Sequence, residues 1–217
     1  MGRTSNQNAE AHPRGWHSRG YLPHFDGGAA LPQTVTFRLA DSVPASVVTG
    51  WRDELTEHPE PEHERELRKR LDKYLDTGYG ARHLLDTRIA RLVEGALWYF
   101  DGVRYLLHAW VVMPNHVHAL FTPLDGWSLS RVVASWKSFT AKEANKVLGR
   151  TGRFWHKDYF DRYVRNAEHF ALAADYIECN PVKAGLCRAP GDWPFGSARF
   201  HSIAGAAGTA AVPGRNP

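Results

Sequence analysis

Residues 110–121 read Trp-Val-Val-Met-Pro-Asn-His-Val-His-Ala-Leu-Phe, and this stretch decides the fold. The apolar run over 104–112 predicts one strand, and the alternation over 116–121 predicts a second. The Met-Pro-Asn sequence between them is typical of a turn. The two strands are therefore predicted to form a hairpin.

The elements around this hairpin follow from apolar periodicity. A period-two strand is predicted at 34–39, two helical pieces between 45 and 75, helices at 86–99, 129–148 and 167–179, and a short aromatic strand within 152–164. Ser128 and Asn166 are placed to cap the last two helices, and Pro181 is expected to stop the final one. This order predicts an α+β fold, in which helices pack on an antiparallel sheet.

Length and composition predict a single domain, which we expect to be catalytic. The chain has 217 residues, of which 43% are hydrophobic and 23% charged, as in ordinary globular proteins. Residues 1–15 and 203–217 lack apolar periodicity and are predicted to be mobile tails, so the domain is expected to span 16–202.

The charge balance and the cysteines indicate the kind of partner and the compartment. The net charge of +4 and the pI near 9.1 favour a polyanionic partner, and Trp or Tyr beside basic residues can stack on unpaired bases. The two cysteines show no metal-ligand spacing, and no apolar run approaches a membrane span or signal peptide. A cytoplasmic location is expected.

His116 and His118 are two residues apart on a predicted strand. Their side chains therefore share one face, about 6 to 7 Å apart at the backbone, while Val117 faces the core. Two imidazoles at this separation can converge on one divalent ion and leave positions open for a phosphate oxygen. The alternative is that they are only solvent-facing polar residues of an alternating strand.

Tyr176 and Asn180 are four residues apart on the last predicted helix and so share one face. Such a helix could present a nucleophile and a third metal ligand to the histidines. The alternative for Tyr176 is a half-buried aromatic anchor. Tyr159 and Tyr163, in the aromatic segment before the helix, are rival nucleophiles.

Four ordered motifs resemble those of the REP-associated tyrosine transposases, which are single-tyrosine HUH transposases. The motifs cover the segments 16–25, 110–118, 136–142 and 176–185. The resemblance implies a ferredoxin-like HUH domain that cuts and rejoins single-stranded DNA beside palindromic hairpins, through a 5′-phosphotyrosine. No Gly-rich phosphate loop is present, and none is needed because the covalent link retains the bond energy.

The resemblance also assigns roles. His116 and His118 match the metal ligands, Tyr176 matches the nucleophile, and Asn180 stands where many relatives have a glutamine ligand. Mg²⁺ or Mn²⁺ is the implied cofactor. On the long helix, Arg131, Lys137 and Lys142 are candidate phosphate contacts, although a solvated basic face explains each equally well. An N-terminal arm is expected to contact DNA through Trp16, Arg19, Tyr21 and His24, or simply to pack over the sheet.

Two other functions compete with a transposase. A non-catalytic protein could bind hairpins without cutting them, but the intact histidines and tyrosine argue against it. A water-using metal phosphoesterase would form no covalent adduct and would usually carry carboxylates near the metal. None is adjacent to the histidines in the sequence. The pattern does not distinguish a monomer from a homodimer.

Overall fold

The structure is a computed structural model that describes residues 16–18, 23–25, 30–56, 59 and 62–200. The tails predicted at 1–15 and 203–217, and the end of the domain at 202, lie outside these residues.

The elements follow the chain in the predicted order, with an additional N-terminal hairpin. The strands are β1 (Trp16–Ser18), β2 (Pro23–Phe25), β3 (Gln33–Arg38), β4 (Tyr105–Val112), β5 (His116–Pro123) and β6 (Phe160–Tyr163). The helices are α1 (Ala45–Leu55), α2 (Glu62–Asp76), α3 (Thr87–Trp98), α4 (Leu129–Val147), α5 (Ala167–Glu178) and α6 (Asn180–Lys183). None of the helices that the structure describes is long and apolar enough to cross a membrane.

The main sheet has four antiparallel strands in the order β4-β5-β3-β6. With α3 connecting β3 to β4 and α4 connecting β5 to β6, this is the β-α-β-β-α-β arrangement of a ferredoxin-like domain. The predicted α+β class is confirmed. Strands β1 and β2 form a separate antiparallel pair that lies beside the edge strand β6.

The two faces of the sheet bury different layers. Odd-numbered β5 residues, such as Val117 and Phe121, pack with α3 and α4 in the largest core. Leu120 points the other way and packs with Ile177 of α5 in a smaller core. Because side chains alternate along a strand, His116 and His118 share the face of Leu120. The register therefore directs both histidines towards α5.

The sequence signals at the helix ends have mixed outcomes. Ser128 and Asn166 accept hydrogen bonds from the first turns of α4 and α5, as predicted. Gly149 adopts the left-handed conformation just beyond α4. Helix α5 ends at Glu178, next to its predicted end at 179, but Pro181 does not stop the helical path. Pro181 lies in the first turn of the short helix α6, where a proline is tolerated because the N–H it lacks would have no partner within the helix.

Candidate functional site

His116 and His118 are buried, with 0% and 3% of their surfaces exposed, and His118 lines a cleft. Their Nε2 atoms lie 2.9 Å apart. The alternative of two solvent-facing polar residues does not describe these positions. Two ring nitrogens at this separation need either a shared proton or a shared cation between them.

Hydrogen bonds on the far side of each ring orient the pair. The Nδ2 of Asn115 donates to the carbonyl of Leu75, so its Oδ1 is turned to accept from His116 Nδ1 at 2.6 Å. His118 Nδ1 lies 2.7 Å from the hydroxyl of Thr36 on the neighbouring strand. With the Nδ1 atoms protonated, both Nε2 lone pairs point into the site, as in metal-binding histidines held by an outer partner.

Burial keeps both imidazoles neutral. It lowers the pKa of His116 to about 3. Burial, followed by the neighbouring ring of His116 and the positive charges of Arg68 and Lys183, lowers the pKa of His118 well below its ordinary value. A neutral imidazole is the form that coordinates a metal.

Helices α5 and α6 bring Tyr176 and Asn180 to the same place. The ring centroid of Tyr176 is 5.7 Å from that of His118, and 38% of the tyrosine surface is exposed. Asn180 is fully buried, and its Nδ2 is 3.4 Å from His118 Nε2. The four-residue spacing works in space because the helical path does not break between them.

The donor set fits a divalent ion. Two donor atoms about 2.1 Å from an octahedral ion lie about 3.0 Å apart when adjacent and about 4.2 Å apart when opposite. The His116–His118 separation is close to the smaller value, and the Asn180–His118 separation lies between the two. The Oδ1 of Asn180 is buried and has no hydrogen-bond partner among the described residues. A half-turn of this amide would direct the oxygen to the pair.

Two carboxylates on α2, Asp72 and Asp76, line the cleft next to this site, and the sequence reasoning missed both. Asp76 Oδ1 is 3.9 Å from His116 Nε2. Burial raises the pKa of Asp72 to about 6, and burial together with the charge of Asp72 raises the pKa of Asp76 to about 6. Within the part of the chain described, however, no three His, Cys, Asp or Glu side chains are already grouped as a metal site.

The cleft in front of this site has a volume of about 1400 Å³. Its walls are α2, the β3–β6 edge of the sheet, and α5 with α6. Its lining includes the basic residues Arg65, Arg68, Lys69, Lys73, Arg162, Arg165 and Lys183. Lys183 Nζ lies 4.4 Å from the centre of the Tyr176 ring. A polyanion in this cleft would meet cations on both sides.

These cations were also missed from the sequence, where the charge run of α2 is typical of a solvated face. The sequence nevertheless indicates a charged face on this helix, because successive members of one charged set are three or four residues apart: Arg65, Arg68, Asp72 and Asp76. Leu67, Leu71 and Leu75 form a buried stripe on the same helix. The apolar stripe fixes which charged side chains must face away from it.

The predicted phosphate contacts on α4 lie elsewhere, since neither Arg131, Lys137 nor Lys142 lines the cleft. Arg131 donates to the carbonyl of Gly126 and lies over Trp127. Lys137 Nζ donates to the carbonyls at 156 and 157, at 2.8 and 2.9 Å. Lys142 is exposed. Their contact with DNA stays a prediction.

The arm is only partly described. Trp16 lies in β1, where it pairs with Phe25, and His24 lies in β2, where it pairs with His17. The two strands form a hairpin beside β6. Arg19 and Tyr21 lie outside the described residues. Since β6 forms one edge of the cleft, the arm approaches the cleft from the strand side.

The rival tyrosines are placed differently from Tyr176. Tyr159 is 8% exposed and belongs to the largest core, on the far side of the sheet from the histidines. Tyr163 lines the cleft on β6. The Tyr176 ring is the one in contact with His118.

Fold and site together define an α+β protein in which two buried neutral histidines on a central strand face a tyrosine and an asparagine on a helix. Residues 89–180, which contain all four, match the family described as "Transposase IS200 like". The resemblance to REP-associated tyrosine transposases predicted from the sequence is confirmed.

Two relatives give the extent of the similarity. The REP-associated tyrosine transposase of Escherichia coli (strain K12) is 30% identical over 95 residues, which are 44% of this chain and 54% of that protein. The match thus spans about half the length of this curated relative. A solved REP-associated tyrosine transposase bound to a REP hairpin has a TM-score of 0.53 at 19% identity, covering 93% of this chain and 96% of the other. At this identity the solved structure supports the fold alone.

Proposed function

We propose that this protein is a metal-dependent transesterase that cleaves and rejoins single-stranded DNA beside hairpins, with Tyr176 as the nucleophile. The observation that carries the proposal is the convergence of Tyr176, Asn180 and the His116–His118 pair beside a basic cleft that Tyr176 and His118 line. The resemblance to REP-associated tyrosine transposases supports the same reaction.

The cleavage reaction exchanges one phosphate ester bond for another and consumes no cofactor. The Tyr176 oxygen forms a bond to the scissile phosphorus, and the bond from phosphorus to the 3′-oxygen breaks. The phenol loses a proton and the departing 3′-oxygen gains one, which leaves a 5′-phosphotyrosine and a free 3′-OH. Attack by a 3′-OH on the phosphotyrosine reverses the step and rejoins the strand.

The site's own electrostatics explain why a cation is needed. Partial burial, followed by the charges of Asp72 and Asp76, raises the pKa of the Tyr176 phenol, so it is protonated at neutral pH. His116, His118 and Asn180 would hold Mg²⁺ or Mn²⁺, which would polarise the phosphate and stabilise the developing negative charge. Tyr176 itself remains accessible from the cleft because 38% of its surface is exposed.

The cleft supports a single strand as the substrate. Arg68 and Lys73 on α2 face Arg162 on β6 and Lys183 on α6 across it. Cations on both walls can follow a flexible phosphate backbone into the site. A hairpin is proposed as part of the substrate because the similar solved protein is bound to one. The arm beside β6 is the proposed hairpin contact.

The test uses a hairpin oligonucleotide with a single-stranded flank, labelled at its 3′ end, and incubated with the protein and Mn²⁺. Because the tyrosine keeps the 5′-phosphate side, the label should move onto the protein and survive denaturing electrophoresis. Tyr176→Phe keeps the ring and should bind the hairpin without forming an adduct. Tyr163→Phe is the matched control from the same cleft and should still form it.

A labelled adduct in Tyr176→Phe, or its loss in Tyr163→Phe alone, would contradict the assignment. Hairpin binding by the parent without any cutting would favour the non-catalytic binder.

A water-using phosphoesterase is the second candidate, and Asp76 beside His116 is the observation that favours it. A carboxylate next to a metal could take a proton from attacking water. In this case the parent would shorten the labelled strand without any protein adduct. Tyr176→Phe would keep most of that cutting, which separates the two reactions in one gel.

A further inference from the structure

Among the described residues, Asp76 brings a carboxylate within 4 Å of the histidine pair. It occupies the last position of α2, with Oδ1 3.9 Å from His116 Nε2. Its side chain is 27% exposed, so one side faces the cleft and the other faces the buried rings. The oxygen–nitrogen distance lies between the values of about 3.0 and 4.2 Å for adjacent and opposite ligands of one octahedral ion.

The end of α2 is tied to the histidine strand. Asn115 donates to the carbonyl of Leu75, the residue before Asp76, and its Oδ1 accepts from the His116 ring. Asn115 is itself fully buried. One amide thus fixes the orientation of His116 and the position of the backbone that carries Asp76. The proximity of the carboxylate to the ring is built into the fold.

The two histidines and Asn180 offer no anionic donor. Imidazole binds a metal as a neutral ligand, and Asn180 supplies a neutral amide whose buried Oδ1 has no partner within the described residues. Mg²⁺ and Mn²⁺ prefer oxygen donors, carboxylates above all. An anionic oxygen is therefore the donor that this set needs, and α2 presents one at the right distance.

We propose that Asp76 is a carboxylate ligand of the metal that His116, His118 and Asn180 hold. This inference rests on the metal dependence in the proposed function and adds a fourth protein donor from a different element. A partly exposed aspartate can change rotamer to complete the site when the ion enters. Asp72, one turn earlier, lines the same cleft without reaching the histidines.

The test is a titration with Mn²⁺ followed by electron paramagnetic resonance, in which bound Mn²⁺ loses the sharp signal of the free ion. All variants are made in the Tyr176→Phe background without DNA, so the result does not depend on cleavage. Asp76→Asn should raise the Mn²⁺ dissociation constant by about tenfold or more. Asp72→Asn is the matched control on the same helix and should change it far less.

Asp76→Glu provides a second variant that keeps the carboxylate and should retain most of the binding, even if Asp76→Asn folds poorly. Thermal melting without metal checks the fold of each protein. Unchanged Mn²⁺ affinity in Asp76→Asn, or equal losses in Asp76→Asn and Asp72→Asn, would overturn the inference. Tight Mn²⁺ binding that requires Asp76, in a parent that forms no DNA adduct, would uphold it while the transesterase proposal failed.

Discussion

Lys137 shows how one side chain can be committed to structure although its sequence context favours DNA. Its Nζ donates to two backbone carbonyls, at 156 and 157, and so holds the segment leading to β6 against α4. The ammonium also lies 5.7 Å from the centre of the Tyr159 ring. Burial, opposed by Asp158, lowers the pKa of Lys137 to about 8.

This lowered pKa predicts a rise in stability with pH. The unfolded chain keeps the proton up to about the ordinary value of 10.5, whereas the folded protein releases it near 8. Between these values the unfolded state binds more protons, so the free energy of unfolding increases with pH. Urea unfolding at pH 7 and pH 10 should show the parent gaining stability relative to Lys137→Met.

Lys142→Met, an exposed lysine on the same helix, controls for the general effect of pH. A gap between parent and Lys137→Met that stayed constant from pH 7 to pH 10 would contradict the buried position of this ammonium.

Helix α2 contributes two functions from two faces. Its leucine stripe packs on α1, and its opposite face supplies cations and Asp76 to the cleft. An amphipathic helix of this kind can present charged side chains to a site while its apolar face still packs in the core. In the proposed function, a DNA strand would run between α2 and β6.

Salt dependence distinguishes two possible paths for DNA, one through the cleft and one over α4. Arg68→Ala with Arg162→Ala removes one cation from each wall of the cleft. For single-stranded DNA the slope of log affinity against log salt should fall by about 0.7 for each phosphate that the variant no longer neutralises. Lys142→Ala, from the predicted α4 path, should leave the slope nearly unchanged. Filter binding over a range of salt concentrations measures both.

If Lys142→Ala reduced the slope while the cleft variant did not, the strand would run over α4, as the sequence predicts.

Local spacing was enough to predict which side chains of the site share a face, and the family resemblance supplied their expected roles. The two-residue spacing of His116 and His118 and the four-residue spacing of Tyr176 and Asn180 each define a face once the element is known. Asp76 could not be found this way, because 40 residues separate it from His116 and only tertiary packing joins them. Nor does any local pattern reveal that the ammonium group of Lys137 donates hydrogen bonds to backbone carbonyls.

At the scale of the whole molecule, burying the histidine pair lowers the free energy of unfolding, and metal binding can offset this loss. The Nε2 atoms of His116 and His118 are buried 2.9 Å apart on an inner strand of the sheet, and with both Nδ1 atoms protonated their lone pairs would oppose each other. An ion that binds only the folded protein adds stability by mass action. The free energy of unfolding should therefore be sensitive to Mn²⁺.

Unfolding in increasing Mn²⁺ tests this linkage. At 100 times the dissociation constant the parent should gain about 2.7 kcal/mol. The double variant His116→Ala with His118→Ala should gain nothing from Mn²⁺, yet should still bind hairpin DNA, because affinity for DNA depends on phosphate and base contacts elsewhere. Equal stabilisation of parent and variant would place the ion at another site.

The single amide of Asn115 joins the wall of the cleft to the ring of His116. The position of the end of α2 and the orientation of the His116 imidazole are therefore coupled through one hydrogen-bonded side chain. A substitution that shortens or removes the Asn115 amide would disturb both at once.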